Sequence, residues 1–379
     1  MWFIDYYTYG NKFIFNPTFN YELDEYINII SHYNELVFLN NWYFILYGNS
    51  IFNKQVDNLP PNLTHLTFGS HFNQSVNNLP PNLTHLTFGF YFNQSINKLP
   101  PNLTHLTFGT YFDQSVNNLP PNLTHLTFGN DFNQSVNNLP PNLTHLNFGY
   151  NFNQSINKLP QNLTHLTFGT CFDKQINLPN IKYIKLNCNN INIIENLPNS
   201  VEVIEFDYHF NLELHNLPNS IKKISFHKDS LFDKELNCLP ESTEHIILNN
   251  KYNNKIKKLP LNLKTIECFK NYNFIDNFDH TKYDIIIYYS YKQCGNTNEI
   301  IIIIQKYIVD LFCSKYTVKL NLHFIDLIIV TGYIFNTLAL CNSIYMFTIN
   351  KNITIVLIIQ IMYQFLVYGI YICFYFFIT

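Results

Sequence analysis

The sequence predicts a β-rich repeat solenoid, with one short strand in each coil of about 20 residues, followed by a C-terminal α-helical hydrophobic hairpin. Three observations predict it. A single segment recurs at a fixed 20-residue spacing. Within it the apolar residues alternate over only four positions. Beyond residue 323 the chain becomes almost continuously apolar.

The period is explicit. LPPNLTHLTFG begins at Leu59, Leu79, Leu99 and Leu119, returns at Leu139 with Asn147 in place of Thr, and becomes LPQNLTHLTFG at Leu159. Looser copies follow as LPNIKYIKL at 178, LPNSVEVIEF at 197, LPNSIKKISF at 217, LPESTEHIIL at 239 and LPLNLKTIEC at 259. A partial copy, ILYGNSIFNKQVDN, begins at 45. About 11 LP-initiated units therefore fill residues 45–276.

Each unit offers six apolar side chains, Leu63, Leu66, Phe68, Phe72, Val76 and Leu79 in the first. Alternation through His65-Leu66-Thr67-Phe68 reads as one strand with Leu66 and Phe68 inward. Gly69 ends it, and Pro60-Pro61 forces a non-helical approach because proline fixes φ and restricts the residue before it. No stretch has room for a ten-residue helix. One coil cannot bury six apolar groups alone, but stacked coils turn them into continuous columns.

The pattern LP-x-x-L-x-x-L-x-F-G-x-x-F-N-Q-x-I/V resembles the FNIP repeat, known from social amoebae and giant DNA viruses of amoebae, over residues 45–276. FNIP repeats are similar to leucine-rich repeats, and Leu63, Leu66 and Phe68 match the L-x-x-L-x-L strand. The resemblance implies a solenoid that binds proteins. One departure stands out: a leucine-rich repeat carries its ladder Asn three residues after the last strand Leu, whereas Asn73 lies five after Phe68. Family members also pair such repeats with an F-box, which implies a substrate adaptor of a ubiquitin ligase. Residues 1–44 lack the LP-x-E helical start of that module and read instead as an N-terminal cap, with Tyr21–Ile30 a candidate helix presenting Tyr26, Ile29 and Ile30.

Residues 277–323 read as a linker, in which the isoleucine runs at 285–287 and 300–304 flank a CGNTN turn and suit a β-hairpin or a helix. Residues 324–379 read as the helical hairpin: 324–349 carries one acid, Asp326, and 353–379 no charge. Both exceed the roughly 20 apolar residues of a membrane span. A membrane hairpin with a cytosolic solenoid and a buried helix pair are the two readings.

Composition narrows the function. Only 13% of residues are charged, the net charge is −3, arginine is absent and lysines are scattered, so a nucleic-acid partner is not expected. Eight cysteines, none in a C-x-x-C pair, suit free thiols in the cytoplasm, and the N-terminal residues lack a secretory pattern. Asn-Leu-Thr and Asn-Gln-Ser occur ten times as formal sequons, which read as repeat residues. No P-loop, dinucleotide fingerprint, hydrolase elbow or paired-carboxylate pattern is present, so no enzyme and no cofactor are expected.

The remaining chemistry lies on the outward strand positions. His65, His85, His105, His125, His145 and His165 repeat at one position and Thr67, Thr87, Thr107, Thr127 and Thr167 at another. After 178 they give way to Tyr183, Lys185, Val203, Glu205, Lys223 and Ser225. A binding face for another protein is expected there, with specificity drawn from the varied second half. A metal-binding His ladder is the alternative, disfavoured because a straight row offers a metal two ligands and not four.

Overall fold

The computed structural model describes residues 5–39, 50–279 and 281–288 and the strand at 317–318. The chain divides into two compact units, 1–266 with 271–277, and 267–270 with 278–379.

The first unit opens on a hairpin. Strand β1 (Tyr6–Tyr9) pairs antiparallel with β2 (Lys12–Phe15) across a turn in which Gly10 takes φ +57°, a left-handed conformation open to glycine at little cost. From β2 onward every strand runs parallel to the next. The succession is β3 (Glu35–Phe38), β4 (His65–Thr67), β5 (His85–Thr87), β6 (His105–Thr107), β7 (His125–Thr127), β8 (His145–Asn147) and β9 (His165–Phe168). It continues as β10 (Tyr183–Leu186), β11 (Val203–Phe206), β12 (Lys223–Phe226) and β13 (His245–Ile247). Through the six uniform copies the register shifts by one repeat at every step, so His65 faces His85 and Leu66 faces Leu86. The strand ladder thus reaches back into the segment that reads as a cap: Glu35 pairs with His65 and Lys12 with Glu35.

The strand is short because its neighbours in sequence turn away from it. The Leu63 N–H bonds the Pro60 carbonyl at 3.2 Å, closing a turn just before the strand. Leu63, Leu66, Phe68, Phe72, Val76 and Leu79 all point inward, none more than 8% exposed, as their spacing predicts. Phe68 and Phe72 stack within the coil at 3.7 Å, and each stacks on its counterpart in the next coil at 5.7 and 6.1 Å. The paired column starts at Phe15 and Phe19, passes through Phe38 and Phe52, and in its last coils holds Phe226–Phe232, Tyr252 and Tyr272.

Asn73 does the work of a ladder residue despite its offset. Its Oδ1 accepts the Asn93 backbone N–H at 2.9 Å and the Gln94 side-chain amide at 3.1 Å. The same bond starts at Asn20 and passes through Asn53, Asn73, Asn93, Asp113, Asn133 and Asn153. Two further ladders run beside it. Thr64 donates its hydroxyl to the Asn34 carbonyl, each later Thr of that column donates to the preceding Thr carbonyl, and Asn82 Nδ2 donates to the Pro61 carbonyl at 2.8 Å. The asparagines of the sequon-like motifs are therefore used in holding coil to coil. In the looser half the Thr column becomes Glu202, Lys222, Glu244 and Lys264, paired at 2.8 Å (Lys222–Glu202) and 2.6 Å (Lys264–Glu244).

Two short helices accompany the strands. The segment Tyr21–Ile30 holds only a 3-10 turn (Asp24–Tyr26) and α1 (Ile27–Ile30); Ile30 is buried, but Ile29 is exposed. β-Branched Ile27, Ile29 and Ile30 propagate a helix poorly, and no side chain caps it. The coil after β10 contains α2 (Ile191–Glu195), capped by Asn190, whose side chain accepts the Asn192 N–H at 3.1 Å. At five residues, α2 stays within the expectation that no coil has room for a ten-residue helix.

β14 (Thr265–Phe269) follows β13 in the chain; in the second unit, β15 (Asp284–Tyr288) pairs parallel with β16 (Thr317–Val318), and the Tyr288 hydroxyl donates to Glu267. The isoleucine run at 285–287 is thus a strand, while 300–304 and the expected hairpin at 324–379 lie outside the described residues. Among the described residues no helix is long and apolar enough to cross a membrane.

The coils touch most closely at the glycines. A Cβ built on Gly109 would lie 1.8 Å from the Gly89 carbonyl oxygen, and Gly129 repeats this against Gly109. Gly109→Ala should therefore cost about 2–3 kcal/mol or more, because backbone on both sides must yield. Ser115→Ala, at an exposed site, should stay within about 0.5 kcal/mol. Urea unfolding followed by circular dichroism compares them, and equal midpoints would refute the close packing.

Candidate interaction face

The outward residues of β4 to β9 form two rows. The six imidazoles of His65 to His165 stack face to face, with centroids 4.0–4.1 Å apart and planes 11–14° from parallel. Each Nδ1 lies 2.8–2.9 Å from the hydroxyl of the Thr before it. That hydroxyl can also give its proton to a carbonyl of the preceding coil, as Thr84 does to Thr64 at 3.1 Å. With the hydroxyl proton on that carbonyl Nδ1 donates to the Thr oxygen, and with it on Nδ1 the ring accepts, so the tautomer sets the direction of this bond. Thr67, Thr87, Thr107, Thr127, Asn147 and Thr167 form the parallel row, and all are half-buried.

The His row is flanked by Glu35 and Tyr183, and the Thr row by Val37 and Lys185. Glu35 sits beside His65 and is bound by Lys12 at 2.7 Å. At the other end Tyr183 stacks on His165 at 5.3 Å and donates its hydroxyl to Glu205 at 2.7 Å. Lys185 pairs with Asp207 at 2.9 Å, and Lys223 stands beside Val203 and His245. The structure thus brings all the outward residues singled out in the sequence onto one run of strands. In the second half it also ties Lys185 and Glu205 to neighbours.

Burial, and then the adjacent imidazoles, hold the His protons off. His105 and His145 are each lowered to about 4, and His85, His125 and His165 are lowered as well. The rings are too nearly parallel for their nitrogens to converge on one ion, and tetrahedral zinc needs four converging ligands. Among the described residues no group of three or more His, Cys, Asp or Glu could hold a metal. Burial pushes the Cys188 and Cys268 thiols up to about 12, so neither is a nucleophile at neutral pH.

Sequence reasoning missed one feature of the surface. Phe90, Tyr91, Tyr111 and Tyr150 are exposed just past the strand face, on the two residues that follow each glycine. The available signal was variation: those two positions differ among copies that are otherwise almost identical.

Repeats of this length, with one strand and a paired-Phe column per coil, match the FNIP repeat family over residues 52–91, 75–111, 92–131, 115–150, 132–171, 152–189 and 189–229. The chain is an FNIP-repeat protein. Its fold is leucine-rich-repeat-like. The crystal structure of CroV588, a circular leucine-rich-repeat protein, is similar to it with a TM-score of 0.54 and 32% identity over 76% of this chain. The match spans 54% of the CroV588 chain, so this FNIP-repeat chain corresponds to about half of that protein's length. YopM from Yersinia enterocolitica WA-314 matches at 19% identity and a TM-score of 0.38, covering 62% of this chain and 60% of its own. Among curated proteins none matches the chain.

The depressed His values set a direction for acid stability. Between about pH 6.5 and about 4 the unfolded chain binds protons that the folded ladder refuses, so stability is lost as pH falls through that window. The urea midpoint should hold steady above about pH 7 and drop by pH 5. His85→Gln, His105→Gln and His125→Gln together should flatten the drop. An unchanged slope in that triple variant would show that the ladder does not cause it.

Proposed function

We propose that this FNIP-repeat chain is a non-enzymatic scaffold whose open strand face docks another protein. The observation that carries the reading is the unbroken run of outward side chains from β4 to β13. It is held in register by parallel pairing and presents half-buried His, Thr, Tyr, Lys and Glu groups on a rigid backbone. Such a surface offers area and hydrogen-bonding groups to a partner without the cost of ordering loops. Repetition of one constellation argues against catalysis, which needs a single arrangement of acid, base or nucleophile.

The adaptor reading needs a helical F-box module. Residues 5–39 supply a strand hairpin, one further strand and one four-residue helix, so nothing in them favours it. Membrane tethering through 324–379 rests on the apolar composition of that segment alone.

The test compares Lys185→Ala, Glu205→Ala and Lys223→Ala on the strand face with Ser115→Ala, Asn117→Ala and Asn118→Ala on the outer surface. Both sets should keep the fold, and only the first should weaken capture of the partner. Loss confined to the outer set would refute the strand face. Stoichiometric zinc that co-purifies, and is lost on His105→Ala with His125→Ala, would restore the metal reading.

A further inference from the structure

The six uniform coils agree almost everywhere and disagree chiefly in one place. After Gly69, Gly89, Gly109, Gly129, Gly149 and Gly169 come SH, FY, TY, ND, YN and TC. The other differences are sparser, among them Val for Ile at 76 and 96, Asn for Asp at 93 and 113, Lys in place of Asn at 98 and 158, and Gln in place of Pro at 161. Chemical diversity among these copies is thus concentrated at two adjacent positions per coil.

Those positions form one ridge along the C-terminal edge of the strands. A backbone ladder holds it: Tyr91 N–H bonds Ser70 O at 2.9 Å, Tyr111 bonds Phe90 at 3.0 Å, Asp131 bonds Thr110 at 2.9 Å, and Asn151 bonds Asn130 at 2.8 Å. The backbone is therefore fixed while the side chains vary, and all but Ser70 reach solvent. Phe90 packs edge-on against Tyr91 and Tyr111, at 5.0 and 4.9 Å, so the aromatic part is pre-organised.

A uniform face has a physical defect that the ridge removes. A partner lying on the His and Thr rows meets the same pattern again after one strand spacing of about 4.8 Å. Poses shifted by one coil would then be nearly equal in energy, and no single complex would dominate. The six different pairs give each coil its own identity and favour one register.

We infer that this ridge is the specificity-determining surface, and that it reads the uncharged surface of a folded protein. The inference rests on the scaffold reading above and locates its selectivity. Tyr and Phe supply rigid contact area and Asn, Ser and Thr supply adaptable hydrogen bonds, the composition that serves antibody paratopes. The ridge holds one acid, Asp131, and no lysine, so phosphate backbones find no countercharge. Its rings lean on one another, as Tyr91 does on Tyr111 at 5.4 Å, which leaves few open faces for stacking on sugars. Six coils at about 4.8 Å extend some 24 Å, the scale of a standard protein interface.

The experiment places a benzophenone amino acid in the full-length chain at Tyr111 on the ridge, Thr107 on the strand face or Ser115 on the outer surface. Each chain is irradiated in amoebal cells. The permuted chain Phe90→Asn, Tyr91→Asp, Asn130→Phe, Asp131→Tyr keeps composition and uses residues already present at these sites. Its thermal unfolding checks that it folds, with Tyr91→Ser as a milder second variant. A discrete protein adduct from position 111 that falls about tenfold or more on permutation supports the inference. An adduct from position 107 that permutation leaves unchanged overturns the ridge and spares the strand face. Adducts removed by nuclease or glycosidase overturn the partner class. No protein adduct from 107 or 111 overturns both readings.

Discussion

The six uniform coils of the first unit depend on backbone lying against backbone at the glycines. With the Gly89 carbonyl where the Cβ of residue 109 would be, successive coils can approach closely enough for the hydrogen bonds on either side to close. In these coils the other columns share that spacing. The Asn73 ladder, the Thr84 hydroxyl and the Asn82 amide each reach one coil and no further. The Phe68 and Phe72 rings stack because their backbones are already spaced for it. The architecture is accordingly one-dimensional: each coil is a template for the next, and stability is set by neighbour contacts.

This constraint explains what was legible in the sequence. The six apolar positions and the strand at 65–67, read one residue longer from the sequence, follow from period and alternation, and all six are buried. The ladder role of Asn73 was hidden because the expected offset comes from a coil without Phe72. Once Phe72 fills the space beside Phe68, the ladder residue moves two places along the chain. The first strands were obscured for a different reason. Lys12–Phe15 and Glu35–Phe38 have neither the LP start nor the terminal Gly, yet their Phe pairs continue the column. The short helix after Asn190 depends on one side-chain cap, which composition alone does not reveal.

The same regularity divides labour on the surface. His and Thr at the strand positions are part of the scaffold: their hydrogen bonds tie ring to hydroxyl and hydroxyl to the previous coil. They repeat because the scaffold repeats. In the looser half the Glu202, Lys222, Glu244 and Lys264 column replaces hydroxyl bonds with alternating charge, which tolerates more variation in the strands beside it. Residues past the glycines tie coil to coil through their backbone, as Tyr111 N–H does to Phe90, and most of their side chains reach solvent, which is where copies can differ without breaking that ladder.

The most direct test of the templating account removes whole or partial coils. Deleting residues 99–118 takes out one period and brings Gly89 against Gly129, with Asn93 against Asn133. Deleting residues 99–108 takes out half a period and brings unlike positions together. The account predicts that hydrogen exchange in the full-period deletion keeps the His125–Thr127 and His145–Asn147 amides protected as in the parent, whereas the half-period deletion loses protection on both sides of the junction. Equal protection in the two deletions, or collapse of the full-period one, would contradict it.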